Sequence, residues 1–111
     1  MKVVLVLSLA LAACKADASG GSTEGPTIFE TMCATCHGPG GKPDAAMIAR
    51  MNVRDLTGPE FRARVTVELV EKQVRFGSDN KLMPALGTSL KPEQIKAVSE
   101  WVASDDFVKR R

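Results

Sequence analysis

The sequence predicts an all-α domain of three to five short helices separated by long loops. Three observations carry that expectation. Apolar residues recur at helical spacing in two separate stretches, no stretch alternates apolar with polar as a half-buried strand does, and clusters of Gly and Pro cut the chain into short segments. At 111 residues there is room for one small domain. Its formal net charge of +2, from 15 basic and 13 acidic side chains, excludes a strongly basic nucleic-acid binder. The 3 cysteines close one bridge at most, which excludes a disulfide framework. With 4 Phe, 1 Trp and no Tyr the core is thin, so something other than side chains is expected to complete it.

The first segment reads as an address. Lys2 precedes an uncharged run from Val3 to Ala13, which suits a secretory signal and is shorter than the about 20 residues that span a bilayer. Leu11-Ala12-Ala13-Cys14 resembles the bacterial lipoprotein processing box. Residues 1–13 are therefore expected to be a signal peptide and Cys14 the lipidated first residue of the mature chain. The competing reading makes Cys14 a small residue beside an ordinary cleavage site. A lipidated Cys14 would anchor the protein to a membrane, and several acyl chains hold far better than one. Residues 14–24 have no large apolar side chain and read as that cysteine plus a flexible tether, leaving 25–111 for the domain.

Within the domain, Pro26 suits the first turn of a helix starting near Gly25, and Thr27-Ile28-Phe29-Glu30 offers a capping box as an alternative start. Ile28, Phe29 and Met32 carry this helix to about Cys36. Gly38-Pro39-Gly40-Gly41 and Pro43 force a loop, and Ala45 to Met51 follows as a short turn or helix. Thr57-Gly58-Pro59-Glu60 is a second capping pattern, opening a short helix to about Arg64. From Thr66, residues Val67, Leu69, Val70 and Val74 lie at helical spacing, and Gly77 supplies the stop. Ser78 to Lys91 is a loop by composition, yet Leu82, Met83, Leu86 and Leu90 require it to face something hydrophobic. Pro92 opens a final helix to about Ser104, with Ile95, Val98, Trp101 and Val102 on one face. Loops this long in so small a domain are expected to wrap a ligand.

Cys33-Ala34-Thr35-Cys36-His37 indicates which one, because C-x-x-C-H reads as a c-type haem attachment site. At a helix end, thiols at i and i+3 share one side and reach the two porphyrin vinyl groups as thioethers, with the adjacent imidazole directed at the iron. His37 is the single histidine, so it has no rival for that position. Three other chemistries use similar residues. A thioredoxin-like pair needs a strand before it and a helix after it, whereas a helix precedes this motif and glycines follow. A zinc site would have to recruit a carboxylate as its fourth ligand. A structural disulfide between Cys33 and Cys36 leaves the apolar loop and the thin core unexplained. For the second axial position, Met32 adjoins the motif within its helix, and Met47 and Met51 have the spacing of packing residues. Met83 stands apart in a loop, stiffened by Pro84, and is the expected sixth ligand.

These motifs together resemble the class I c-type cytochromes, small monohaem electron carriers of bacterial periplasms and mitochondria. The resemblance runs from Gly25 to about Ser104. It rests on Gly25 with Phe29, Cys33 to Gly38, Val74-Arg75-Phe76-Gly77, Met83-Pro84-Ala85, and Leu90 followed by Glu93-Gln94-Ile95 and Trp101. It implies a cytochrome c fold around one covalently bound haem c, with the terminal helices crossing at Gly25 and Phe29 meeting Trp101. It also implies a proline carbonyl that accepts the imidazole N–H, for which Pro39 and Pro43 are the nearest candidates, neither at the usual offset. Where the family commonly caps its last helix with Ser or Thr, this chain has Lys91.

The implied role is one-electron transfer between membrane respiratory complexes and periplasmic oxidoreductases, terminal oxidases or reductases among them. The resemblance implies no catalysis, no nucleic-acid partner and a monomer, held at the periplasmic membrane by lipid on Cys14. An apolar shell of Leu56, Val70, Val74, Leu82, Leu86 and Trp101 would favour ferrous iron. Arg54, Arg62, Arg64 and Arg75 are candidates for pairing with the haem propionates, against the reading that each is a solvated helix face. Lys72 and Lys81 are candidates for steering anionic partners. The alternative function is a haem-based sensor or catalytic subunit whose Met83 dissociates to bind a small ligand, and a metal-free structural lipoprotein is a third.

Overall fold

The longest helix among the described residues, α6 (Pro92–Ala103), is the spine against which both α1 (Gly25–Met32) and α5 (Val67–Phe76) pack. They belong to a computed structural model that describes residues 21–109. The signal run 1–13, Cys14 and tether residues 15–20 lie outside the described residues. Between the packed helices come α2 (Ala34–His37), a 3₁₀ turn at Pro39–Gly41, α3 (Ala45–Met51) and α4 (Pro59–Arg64), and α7 (Asp106–Lys109) closes the chain. Among the described residues there is no strand, and no helix is long and apolar enough to cross a membrane.

Local chemistry sets the helix limits. α1 starts at Gly25 with Pro26 in its first turn, so the Thr27 capping box is not the start. It breaks at Cys33 rather than running unbroken to Cys36, and the Cys33 carbonyl accepts from both Cys36 N–H (3.3 Å) and His37 N–H (2.9 Å). The cap of α4 is Gly58 rather than Thr57, whose amide and hydroxyl both donate to Asp55 Oδ1 at 2.8 and 2.6 Å. α5 begins and ends as expected: Thr66 Oγ1 accepts from Leu69 N–H (3.1 Å), and Gly77 follows Phe76. Lys91 has no side-chain acceptor, and the start of α6 is fixed from the other direction, by Lys91 N–H donating to Gln94 Oε1 (2.9 Å). Gln94 also donates through Nε2 to the Ser22 carbonyl (2.8 Å), tying the chain ahead of α1 to this helix.

Gly25 is where α1 meets α6. A Cβ built there would stand 2.5 Å from both the Ala97 carbonyl oxygen and Trp101 Cβ, so the crossing requires a residue without one. Phe107 packs over Gly41, which has no room for a Cβ beneath the ring, and stands edge-on to Phe29 (5.1 Å) and to Trp101 (5.8 Å). Phe107, from a one-turn helix that helical periodicity did not anticipate, is thus the ring partner of both Phe29 and Trp101.

Candidate haem site

Among the described residues eleven hydrophobic side chains are buried, and six of them, Phe29, Leu56, Phe61, Val70, Val74 and Val102, also line a cavity of about 470 Å³. The core is built around this space rather than through it, which explains how so few aromatics suffice. Of the expected shell, Leu56, Val70, Val74, Leu82 and Leu86 line the cavity. Trp101 does not, because its side of α6 faces Gly25 and Phe107, and Val102 takes the cavity side.

Cys33, Cys36, His37 and Met83 all line this one cavity, although Met83 is 46 residues from His37. Both cysteines are free thiols and half-buried. Burial, with Glu30 and Cys36 adding to it, pushes the Cys33 thiol up to about 11, so it stays protonated at neutral pH. His37 Nδ1 lies 3.1 Å from the carbonyl oxygen of Arg54. A carbonyl only accepts, so in neutral imidazole Nδ1 carries the proton and Nε2 carries a lone pair. Burial lowers the His37 pKa more than this hydrogen bond raises it, which keeps that neutral form at physiological pH. The orienting carbonyl therefore belongs to Arg54, neither to Pro39 nor to Pro43. It comes from the strap between α3 and α4, which no side-chain motif marks.

Met83 is fixed by its backbone. Its N–H donates to Ser78 Oγ (3.0 Å) and its carbonyl accepts from Ser78 N–H (3.0 Å). The Ser78 hydroxyl donates to Asn80 Oδ1 (2.6 Å), which also accepts from Leu82 N–H (3.0 Å). Leu86 N–H donates to the Val74 carbonyl (2.8 Å), pinning the loop to α5. Gly77, at φ +71°, allows the contact, since a Cβ there would lie 2.5 Å from the Met83 carbonyl oxygen. Lys81 takes a left-handed φ of 61°, a strained conformation for a non-glycine residue that this network of bonds over-determines. Met32 and Met51 also line the cavity, and Met47 does not.

The cationic candidates separate. Arg54 and Arg64 line the cavity and are exposed at its rim. Arg75, Lys72 and Lys81 are exposed and do not line it. Arg62 is neither a cavity residue nor a solvated face, because its guanidinium donates to the carbonyls of Leu56, Val102 and Ser104. The zinc alternative lacks a donor set: among the described residues, no three His, Cys, Asp or Glu side chains group closely enough to hold a metal ion.

Residues 21–102 match the family described as cytochrome c oxidase, cbb3-type, subunit III. The chain belongs to this family of c-type cytochromes. Among curated proteins none matches it. The chain is similar to solved structures of c-type cytochromes, two of which follow. The KustC0563 c-type cytochrome is 26% identical with a TM-score of 0.63, over 72% of this chain and 94% of that one. Cytochrome c6C from Synechococcus sp. PCC 7002 is 33% identical with a TM-score of 0.53, over 71% of this chain and 89% of that one. Haem-based electron transfer is the function this cytochrome family carries, and haem c is the cofactor it implies. The residues present fit it: an apolar cavity, two free thiols three residues apart, and an imidazole whose outer nitrogen is already occupied.

Proposed function

We propose that this cytochrome is a one-electron carrier in which Cys33 and Cys36 hold a single haem c through thioethers and His37 and Met83 are the axial ligands. The supporting observation is that one apolar cavity is lined by all four side chains. When bound, haem c supplies a one-electron couple, and no substrate bond is made or broken. His37 keeps its Nδ1 proton on the Arg54 carbonyl and offers Nε2 to the iron, the bond making it a more basic ligand. The Met83 thioether, on a backbone held by Ser78, favours the reduced state relative to a second imidazole. The walls of Leu56, Val70 and Val74 exclude water, which further disfavours the extra charge of the oxidised form. Arg54 and Arg64, at the rim, are the cations for the propionates.

The proposed partners are membrane respiratory complexes and periplasmic oxidoreductases, and the family's description makes a cbb3-type terminal oxidase the first to test. The protein is proposed to be a periplasmic lipoprotein, processed before Cys14 and anchored there by lipid. Whole-protein mass spectrometry of material exported by a bacterium tests both assignments. The expected mass is that of the chain from Cys14 plus one haem and its acyl groups. A haem-free mass contradicts the cofactor assignment, and an unacylated chain starting elsewhere contradicts the anchor.

A further inference from the structure

Arg62 has unusual surroundings for a surface cation. Its Nη1 donates to the carbonyls of Val102 (2.7 Å) and Leu56 (3.3 Å), and its Nη2 to the carbonyl of Ser104 (2.8 Å). The guanidinium carbon lies 5.5 Å from the centre of the Phe107 ring and 5.9 Å from that of Phe61. Asp105 supplies an opposing charge nearby. The carbonyls at the end of α6 are the orphan acceptors of a helix terminus, and a planar fork of donors suits them better than a point charge.

The acceptor that gives this cluster a functional meaning is Leu56. Two residues before it, the Arg54 carbonyl holds the His37 imidazole. Leu56 N–H is itself bonded to the Gly41 carbonyl (2.9 Å), so the strap is fixed at both sides of one buried residue, by Gly41 and by Arg62. A continuous set of bonds therefore runs from the α6–α7 junction through Arg62 and Leu56 to the outer nitrogen of His37.

We infer that Arg62 is a positioning residue for His37: it clamps the strap of residues 54–56 to the C-terminal end of α6 and so holds the Arg54 carbonyl on the imidazole. The inference rests on the proposed ligation for its effect on redox potential, but not for its effect on the imidazole hydrogen bond. Lys at position 62 keeps the charge and loses the fork, so Arg62→Lys separates positioning from electrostatics. In the haem-loaded protein, nuclear magnetic resonance reads solvent exchange of the His37 Nδ1 proton alongside that of the core amides of Ile95 and Val98. Loosening one hydrogen bond made by a charged donor is expected to speed His37 exchange by at least about tenfold, leaving the two amides within about twofold. The reduction potential should rise at the same time, because a less firmly bonded imidazole is a less basic ligand and stabilises ferric iron less.

An unchanged His37 exchange rate overturns the inference. So does an acceleration shared equally by Ile95 and Val98, which would make Arg62 a generally stabilising residue and nothing more. If Arg62→Lys does not accumulate, the wild-type protein carries the test in mild denaturant. The Leu56 amide and the His37 Nδ1 proton should open as one unit with the amides of Phe107 and Val108, and independent opening overturns the clamp. The absorption spectrum separates the two assignments: a low-spin haem spectrum with unaltered exchange defeats the clamp alone, and a preparation lacking any haem spectrum defeats the ligation.

Discussion

Met83 and His37 line the same cavity but are held by different means, one through its own backbone and the other through a carbonyl 17 residues away. Met83→Ala should leave the fold intact and vacate the proposed sixth position. The reduced form should then bind carbon monoxide, and voltammetry should show a potential lowered by a visible part of the ~0.8 V range that axial ligands control. Gly25→Ala tests packing instead. The new methyl group would press on the Ala97 carbonyl and Trp101 Cβ, neither of which is the far end of a flexible side chain, so urea unfolding should show a loss of about 1–3 kcal/mol. Met83 was singled out by Met-Pro in an apolar loop, whereas the close approach at Gly25 was implied by the resemblance to class I c-type cytochromes and is found here. The Arg54 carbonyl was not legible, because every residue has one and only the fold decides which reaches His37.

At the scale of elements, α5 was readable end to end because Thr66 and Gly77 are local signals that tertiary structure left in place. α7 was not. It is one turn long, too short for a period, and its single buried residue, Phe107, is defined by residues distant in sequence, Phe29, Gly41 and Arg62 among them. Phe107→Ala should cost about 3–5 kcal/mol in a denaturant titration, since it removes a buried ring that packs on Phe29, Trp101 and Gly41. The break in α1 at Cys33 was equally hidden, because the residues on both sides are compatible with a continuous helix. The apolar loop from Ser78 to Lys91 was correctly read as facing something hydrophobic, but its internal bracing by Ser78 and Asn80 was not foreseen. Ser78→Ala should speed displacement of Met83 by added imidazole, measured by stopped-flow absorbance, at a stability cost of about 1 kcal/mol. Unchanged displacement would mean that the loop holds Met83 without that hydroxyl.

For the whole molecule, the thin core and the cavity are two descriptions of one fact: most of the buried apolar side chains surround a space rather than fill it. The charge is less informative. The formal +2 includes Lys2 of the expected signal, and two propionates would bring the mature reduced protein close to neutral, so global charge steers no partner. Among the described residues three large apolar side chains are exposed: Ile48 on α3, Leu82 (47%) at the cavity and Phe76 (71%) at the end of α5. Electron transfer to the proposed oxidase partner should accordingly change by less than about tenfold between low and physiological ionic strength, because screening acts only on charged steering. In the proposed carrier, His37 and Met83 together saturate the iron of a covalently held haem, and a single measurement tests this. That measurement is the absorption spectrum of the purified holoprotein, oxidised and then reduced under carbon monoxide. An iron saturated by His37 and Met83 gives intense low-spin bands, the weak long-wavelength band of sulfur bound to ferric iron, and a reduced spectrum unmoved by the gas. Rapid carbon monoxide binding by the wild-type protein, or an oxidised spectrum without the sulfur band, would contradict it.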